Sequence, residues 1–98
     1  MNLTQLKSQL TQLKPELYER FGVNELGVFG SFVRHEERPD SDIDVLVSFD
    51  PERKVTLFTL MDLQEFLTET FGRKADIAIK KSLKPFIGKQ ILSEVEYV

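Results

Sequence analysis

The chain has 98 residues, with 16 acidic against 13 basic side chains, a net charge of −3, 41% apolar residues, and no Cys or Trp. That length supports one domain, residues 1–98, with a modest core that a partner can readily extend. Without cysteine there is no disulfide framework, thiolate metal site or cysteine nucleophile, and with His35 as the single histidine zinc chemistry is nearly excluded. No apolar run approaches the ~18 residues of a membrane span. The first residues lack the basic-then-apolar order of a signal peptide, so a soluble, cytoplasmic protein is expected. The mildly acidic balance argues against direct, general nucleic-acid binding, which draws on surplus positive charge.

Leu3, Leu6, Leu10, Leu13, Leu17 and Phe21 recur at steps of three and four, which predicts a helix over residues 2–21 ended by Gly22. Pro15 is expected to bend or split it. Its leucine stripe reads mainly as core, with near-heptad spacing leaving open that part of it meets another subunit. Leu26 to Gly30 reads as a short buried strand, and the polar stretch 31–41 as a loop or short helix followed by a turn. Ile43, Val45 and Val47 alternate with Asp42, Asp44, Leu46 and Ser48, the period-two pattern of a strand with one face in the core. Asp50 and Pro51 break it.

Leu57, Leu60, Met61 or Leu63, Leu67 and Phe71 predict a second long helix over residues 56–71, stopped by Gly72. Residues 75–79 read as a third strand. After Leu83, Lys84 and Pro85, a last helix over residues 86–93 is expected to pack Ile87, Ile91 and Leu92. The order α, β, loop, β, α, β, α suggests an α+β fold, a small mixed sheet flanked by helices.

The chemistry concentrates between Gly30 and Asp44. Side chains two apart on a strand share a face, so Asp42 and Asp44 present their carboxylates together, and such a pair is costly unless a cation lies between the oxygens. Mg²⁺ suits them, because it takes oxygen ligands and completes its shell with water and substrate phosphate. Gly30 lets the backbone approach a ligand closely, the N–H groups of the following turn can receive an anion, and Ser31 adds a hydroxyl. Asp76 supplies a third carboxylate if its strand lies beside the second, enough for two ions that stabilise an in-line displacement at phosphorus. Taken singly, these acids more often serve as turn, strand-edge or capping residues than as ligands.

Gly30-Ser31, a ten-residue spacer, Asp42-Ile43-Asp44 and the later Asp76 resemble the signature of the polymerase-β-like nucleotidyltransferase superfamily. Over almost the whole chain the sequence is similar to the minimal nucleotidyltransferases, the MNT antitoxin halves of HEPN–MNT toxin–antitoxin pairs. The resemblance implies the minimal version of that fold. It also implies that Gly30 and Ser31 hold the triphosphate of ATP, that Asp42 and Asp44 bind both Mg²⁺ ions, and that Asp76 binds the catalytic ion and helps deprotonate the acceptor hydroxyl. Arg34 matches the arginine that often follows the Gly-Ser pair and is expected at the phosphates or the partner. His35 stands where the family frequently has glycine. The implied activity is AMPylation: transfer of AMP to a tyrosine of a HEPN ribonuclease toxin, in a hetero-oligomer with that toxin.

Other readings stand beside it. One is an antitoxin that neutralises its toxin by binding alone, with a vestigial nucleotide site. Another is transfer of a nucleotide to a small molecule, although enzymes of that kind usually carry an additional helical domain. Arg73, Lys74, Lys80, Lys81, Lys84 and Lys89, set against the single acid Asp76, form either a field that draws in phosphate or an acidic partner, or simply a solvated face.

Overall fold

The leucine stripe becomes helix α1, Leu3–Phe21, in a computed structural model that describes all residues 1–98. Asn2 caps it: its side chain accepts the Gln5 N–H at 2.9 Å, and the Gln5 side chain accepts the Asn2 N–H at 3.0 Å. Gly22 ends it in the left-handed conformation, φ +77°. Pro15 does not split the helix. It lies on the exposed side, where water can meet the carbonyl that lacks a donor one turn back. Leu6, Leu10, Leu17 and Phe21 are buried, so the stripe is core rather than a subunit interface.

Strand β1 runs Val23–Phe29, three residues earlier at its start than the apolar run indicates. The reason is an irregularity between Val23 and Glu25. One extra residue there lets Val23 and Leu26, three apart, face the same core and conceals the period-two pattern. A single turn of 3₁₀ helix, Gly30–Phe32, follows, and then β2, Ile43–Phe49. Helix α2 spans Leu57–Phe71 with Thr56 as its cap and Gly72, φ +68°, as its stop. Strand β3 is Ala75–Ile79. After a second 3₁₀ turn, Lys80–Ser82, helix α3 runs Pro85–Glu94 and leads into a two-residue strand, β4, Glu96–Tyr97.

The sheet order is β3-β2-β1-β4, with β1 antiparallel to both neighbours and β3 parallel to β2. It is the small mixed sheet expected, with one edge strand added. Strand β4 is too short for any periodicity and exists because Tyr97 and Glu96 pair with Gly27 and Val28.

The register gives the sheet two different faces. Val23, Leu26, Val28, Ile43, Val45, Val47 and Ala75 form the core with α1 and with Leu63 and Leu67 of α2. The opposite face carries Asp44 and Asp76, but also Leu46, which is buried although the alternation groups it with polar residues. Two helical expectations need correction. Of the three residues expected to pack from α3, only Ile91 is buried, while Ile87 and Leu92 are exposed. On α2, Leu57 and Met61 face solvent and Leu63 takes the core position.

His35 has φ +59°, the left-handed region that glycine enters freely and other residues enter at a cost. The turn therefore keeps its shape without a glycine. Replacing His35→Gly should stabilise the fold by about 0.5–1 kcal/mol, the relief of strain being partly offset by unfolded-chain entropy. Thermal denaturation of the two proteins should show the variant melting a few degrees higher.

Candidate active site

Four segments meet on the face opposite the core: the 3₁₀ turn, the start of β2, the start of β3 and the end of α3. Strand β1 delivers the chain to Gly30, whose φ of +81° turns it sharply out of the sheet. A Cβ at this position would run into the Asp44 carboxylate and its Cβ, so glycine is required both for the turn and for the close approach of backbone to acid. The carbonyl of Gly30 accepts the N–H groups of Val33 and Arg34, each at 3.1 Å, and the carbonyl of Ser31 accepts that of Glu36 at 2.9 Å. These bonds hold half-buried Ser31 and exposed Arg34 at the head of a tight turn beside Asp44.

Asp44 lies one residue into β2 and is the direct register partner of Asp76 on β3. Neighbouring strands lie roughly 4.8 Å apart and parallel partners point to the same face, so the two carboxylates share one patch of surface. Asp42 sits just before the strand rather than in it, and the Ile43 N–H between the two acids donates to Lys74 O at 2.9 Å. Lys74 Nζ also approaches Asp76 at 3.6 Å.

The electrostatics follow from this crowding. The pKa of Asp44 is pushed up to about 6, first by burial and then by the charges of Asp76 and Asp42. Arg34 opposes the shift, and Glu94 adds to it. The carboxylate is thus destabilised by the very neighbours that the motif supplies. As the side chains stand, no three of the carboxylates gather closely enough to form a closed cation site. The donor set nevertheless fits a hard divalent cation: oxygen ligands alone, repelling one another, with an open side toward solvent.

Glu94, at the end of α3, is the site residue that sequence reasoning missed. Its Oε1 accepts the Gly30 N–H at 3.3 Å, and both its oxygens lie 3.1 Å from Arg34 Nη1. A lone acid sixty residues from its partners gives no local signal. Of the six basic residues, three are tied to separate partners. Arg73 donates to the carbonyls of Arg38 and Ser41, Lys74 faces Asp76, and Lys80 pairs with Glu25 at 3.1 Å.

The model of the nucleotidyltransferase domain matches residues 10–98. A protein adenylyltransferase of Thermococcus cleftensis is 47% identical over 98 residues, all of this chain and 97% of the relative. The chain belongs to the nucleotidyltransferase family. Among solved structures, a minimal nucleotidyltransferase superposes with a TM-score of 0.77 at 34% identity, over 98% of this chain and 95% of that one. An MNT antitoxin, solved in complex with the tri-AMPylated HEPN toxin of Shewanella oneidensis, has a TM-score of 0.68 at 16% identity, over 97% of this chain and 71% of that one, and shares the fold. This nucleotidyltransferase therefore has the minimal fold of its family, with the Gly-Ser turn and the paired acids on one sheet face.

Asp44→Asn should stabilise the metal-free nucleotidyltransferase at pH 7.5. A carboxyl whose folded pKa is above its unfolded value is penalised once ionised, fully above about pH 6 and not at all below the unfolded value near 3.8. Allowing for solvent screening of a half-exposed group, the gain is about 1 kcal/mol, or roughly 4–8 °C in melting temperature. Melting curves taken from pH 7.5 down to 4 should show the difference shrink below pH 6.

Proposed function

We propose that this nucleotidyltransferase is the antitoxin of a HEPN–MNT pair, transferring AMP from ATP to a tyrosine hydroxyl of its HEPN ribonuclease toxin. The whole chain, residues 1–98, acts as one minimal domain in the cytoplasm, in a hetero-oligomer with the toxin and with neither membrane nor direct nucleic-acid binding. The observation that carries this reading is the register pairing of Asp44 with Asp76 beside the Gly30 turn, which juxtaposes a paired-carboxylate patch and an anion-receiving backbone. The relative named as a protein adenylyltransferase and the fold shared with an antitoxin bound to an AMPylated toxin support it. No helix of the chain is long and apolar enough to cross a membrane.

In the reaction, the acceptor oxygen forms a bond to the α-phosphorus, the bond from that phosphorus to the bridging oxygen breaks, and pyrophosphate leaves. Gly30, Ser31 and Arg34 hold the triphosphate and so align the leaving group opposite the attacking oxygen. Asp42 and Asp44 would hold the two Mg²⁺ ions, with Asp76 as a further oxygen ligand. Bound divalent ions supply positive charge that stabilises the attacking and leaving oxygens. Asp76 takes the proton of the acceptor hydroxyl, and its exposed side gives an incoming hydroxyl access. Burial and neighbouring acids destabilise the Asp44 carboxylate, a cost that a bound cation would relieve.

The acceptor has to arrive on another protein, because every long element here is used in building the sheet and its cover. Exposed apolar side chains offer it docking points on two helices: Phe58 on α2 is 73% exposed, beside Leu57 and Met61, and Phe86 on α3 is 92% exposed, with Ile87 and Leu92 exposed on the same helix. The same residues favour the second reading, in which docking alone silences the toxin.

Purified chain, the adjacent HEPN protein, Mg²⁺ and labelled ATP decide between them. Wild type should label the toxin and abolish its ribonuclease activity. The Asp42→Asn, Asp44→Asn double variant should bind the toxin yet lose label transfer at least a hundredfold, and the toxin should stay active. Undiminished neutralisation by that variant would establish the binding-only antitoxin instead.

A further inference from the structure

The donors that the proposed function assigns to the triphosphate are already in use. Gly30 N–H donates to Glu94 Oε1, and Arg34 Nη1 lies at hydrogen-bond distance from both oxygens of the same carboxylate. Glu94 is well covered there, its side chain only 17% exposed, whereas the Arg34 side chain it holds is 42% exposed. A second, looser bond ties Arg34 Nε to Glu36 at 3.4 Å. Charge-assisted bonds of this kind are the stronger class, and a carboxylate is the side-chain anion whose oxygen geometry comes nearest to a phosphate.

Glu94 is also poorly placed as a permanent neighbour of a nucleotide. It adds a fourth negative group to a patch that already holds Asp42, Asp44 and Asp76, and its charge helps to push the Asp44 carboxyl up. A triphosphate brought to the Gly30 turn would meet that charge directly while competing for the same two donors. The fold does not require the contact. The segment after Glu94 is anchored independently by Lys7 Nζ to Glu96 at 2.9 Å, by Val98 N–H to Leu26 O at 3.0 Å and by the pairing of β4 with β1. The Glu94 side chain can therefore swing away by rotation about its own bonds while α3 and β4 stay in place.

We propose that Glu94 is an internal occupant of the phosphate seat, holding the Gly30 amide and Arg34 until a triphosphate displaces it, and that this competition sets the apparent affinity for nucleotide. The inference rests on the reading of Gly30, Ser31 and Arg34 as that seat. Its consequence is quantitative. An occupied seat lowers apparent affinity by the fraction of molecules in which it is free, so a seat free about one-tenth of the time weakens binding about tenfold. Glu94 thus keeps the donors satisfied and the turn ordered, at the expense of nucleotide affinity.

The test is calorimetric titration of the full chain with AMP-PNP and Mg²⁺, alongside melting curves. Glu94→Gln keeps the shape and removes the charge, and it should bind AMP-PNP about tenfold more tightly with the melting temperature little changed. Glu94→Asp retains the charge but is one methylene too short to reach both donors, so it should also bind more tightly. A merely structural glutamate predicts the opposite sign, a lower melting temperature and weaker binding. Ser31→Ala and Arg34→Ala report on the seat itself and should both bind more weakly. If they do so while both Glu94 variants bind as wild type or more weakly, the displacement proposal is overturned and the seat stands. If Ser31→Ala and Arg34→Ala bind as wild type, the seat assignment falls and takes the displacement with it.

Discussion

Everything distinctive about this small protein depends on one register: Asp44 of β2 lies directly beside Asp76 of β3 in a parallel pair. Parallel pairing forces the two side chains onto the same face, and the apolar alternation of Ile43, Val45 and Val47 ensures that this face is the one turned away from the core. A slip of β2 by one residue would bury Asp44 and expose three β-branched side chains. The hydrophobic core therefore enforces an arrangement of carboxylates that electrostatics alone would oppose. Stability of the sheet, rather than any attraction between site residues, holds the repelling groups together.

That opposition is balanced locally. The Gly30 turn lets the chain pass close to Asp44 where no side chain fits, Arg34 offsets part of the charge on Asp44, and Lys74 lies near Asp76. Glu94 works the other way, adding charge while accepting from the Gly30 N–H and Arg34. The site balances donors held by Glu94 against crowded carboxylates, and the proposed ligands, Mg²⁺ and the triphosphate, are the species that would answer both sides at once. The same logic explains why a chain with net negative charge can be read as a phosphate-handling protein: the attraction is confined to one turn and does not come from the surface as a whole.

The apolar surface has a parallel division of labour. Helix α1 commits its leucine stripe to the core, whereas α2 and α3 each bury two residues and leave large apolar side chains outside. On α2 the inward positions are Leu63 and Leu67, and Leu57, Phe58 and Met61 line the outer side of its first turns. A domain of this size cannot cover two such helices by itself. Under the proposed function, the toxin that brings the acceptor also covers them.

Local chemistry was readable in the order of residues. The leucine spacing gave helix α1, Gly22 and Gly72 marked both helix stops, the alternation around Ile43 marked β2, and Gly30-Ser31 with Asp42 and Asp44 located the candidate site, because each is a short-range pattern set by backbone geometry. Four things required the folded chain. The start of β1 is hidden by its irregular pairing near Asn24, and β4 exists only through its partner strand. Leu46 looks like a polar-face residue until the far side of the sheet is seen to be covered. Glu94 reaches Gly30 and Arg34 only because α3 returns to the head of β1. Residue order by itself determined the elements, their turns and the chemical type of the site; tertiary structure alone decided which carboxylates share a face and which acid occupies the turn, since such contacts join residues tens of positions apart and no local spacing encodes them.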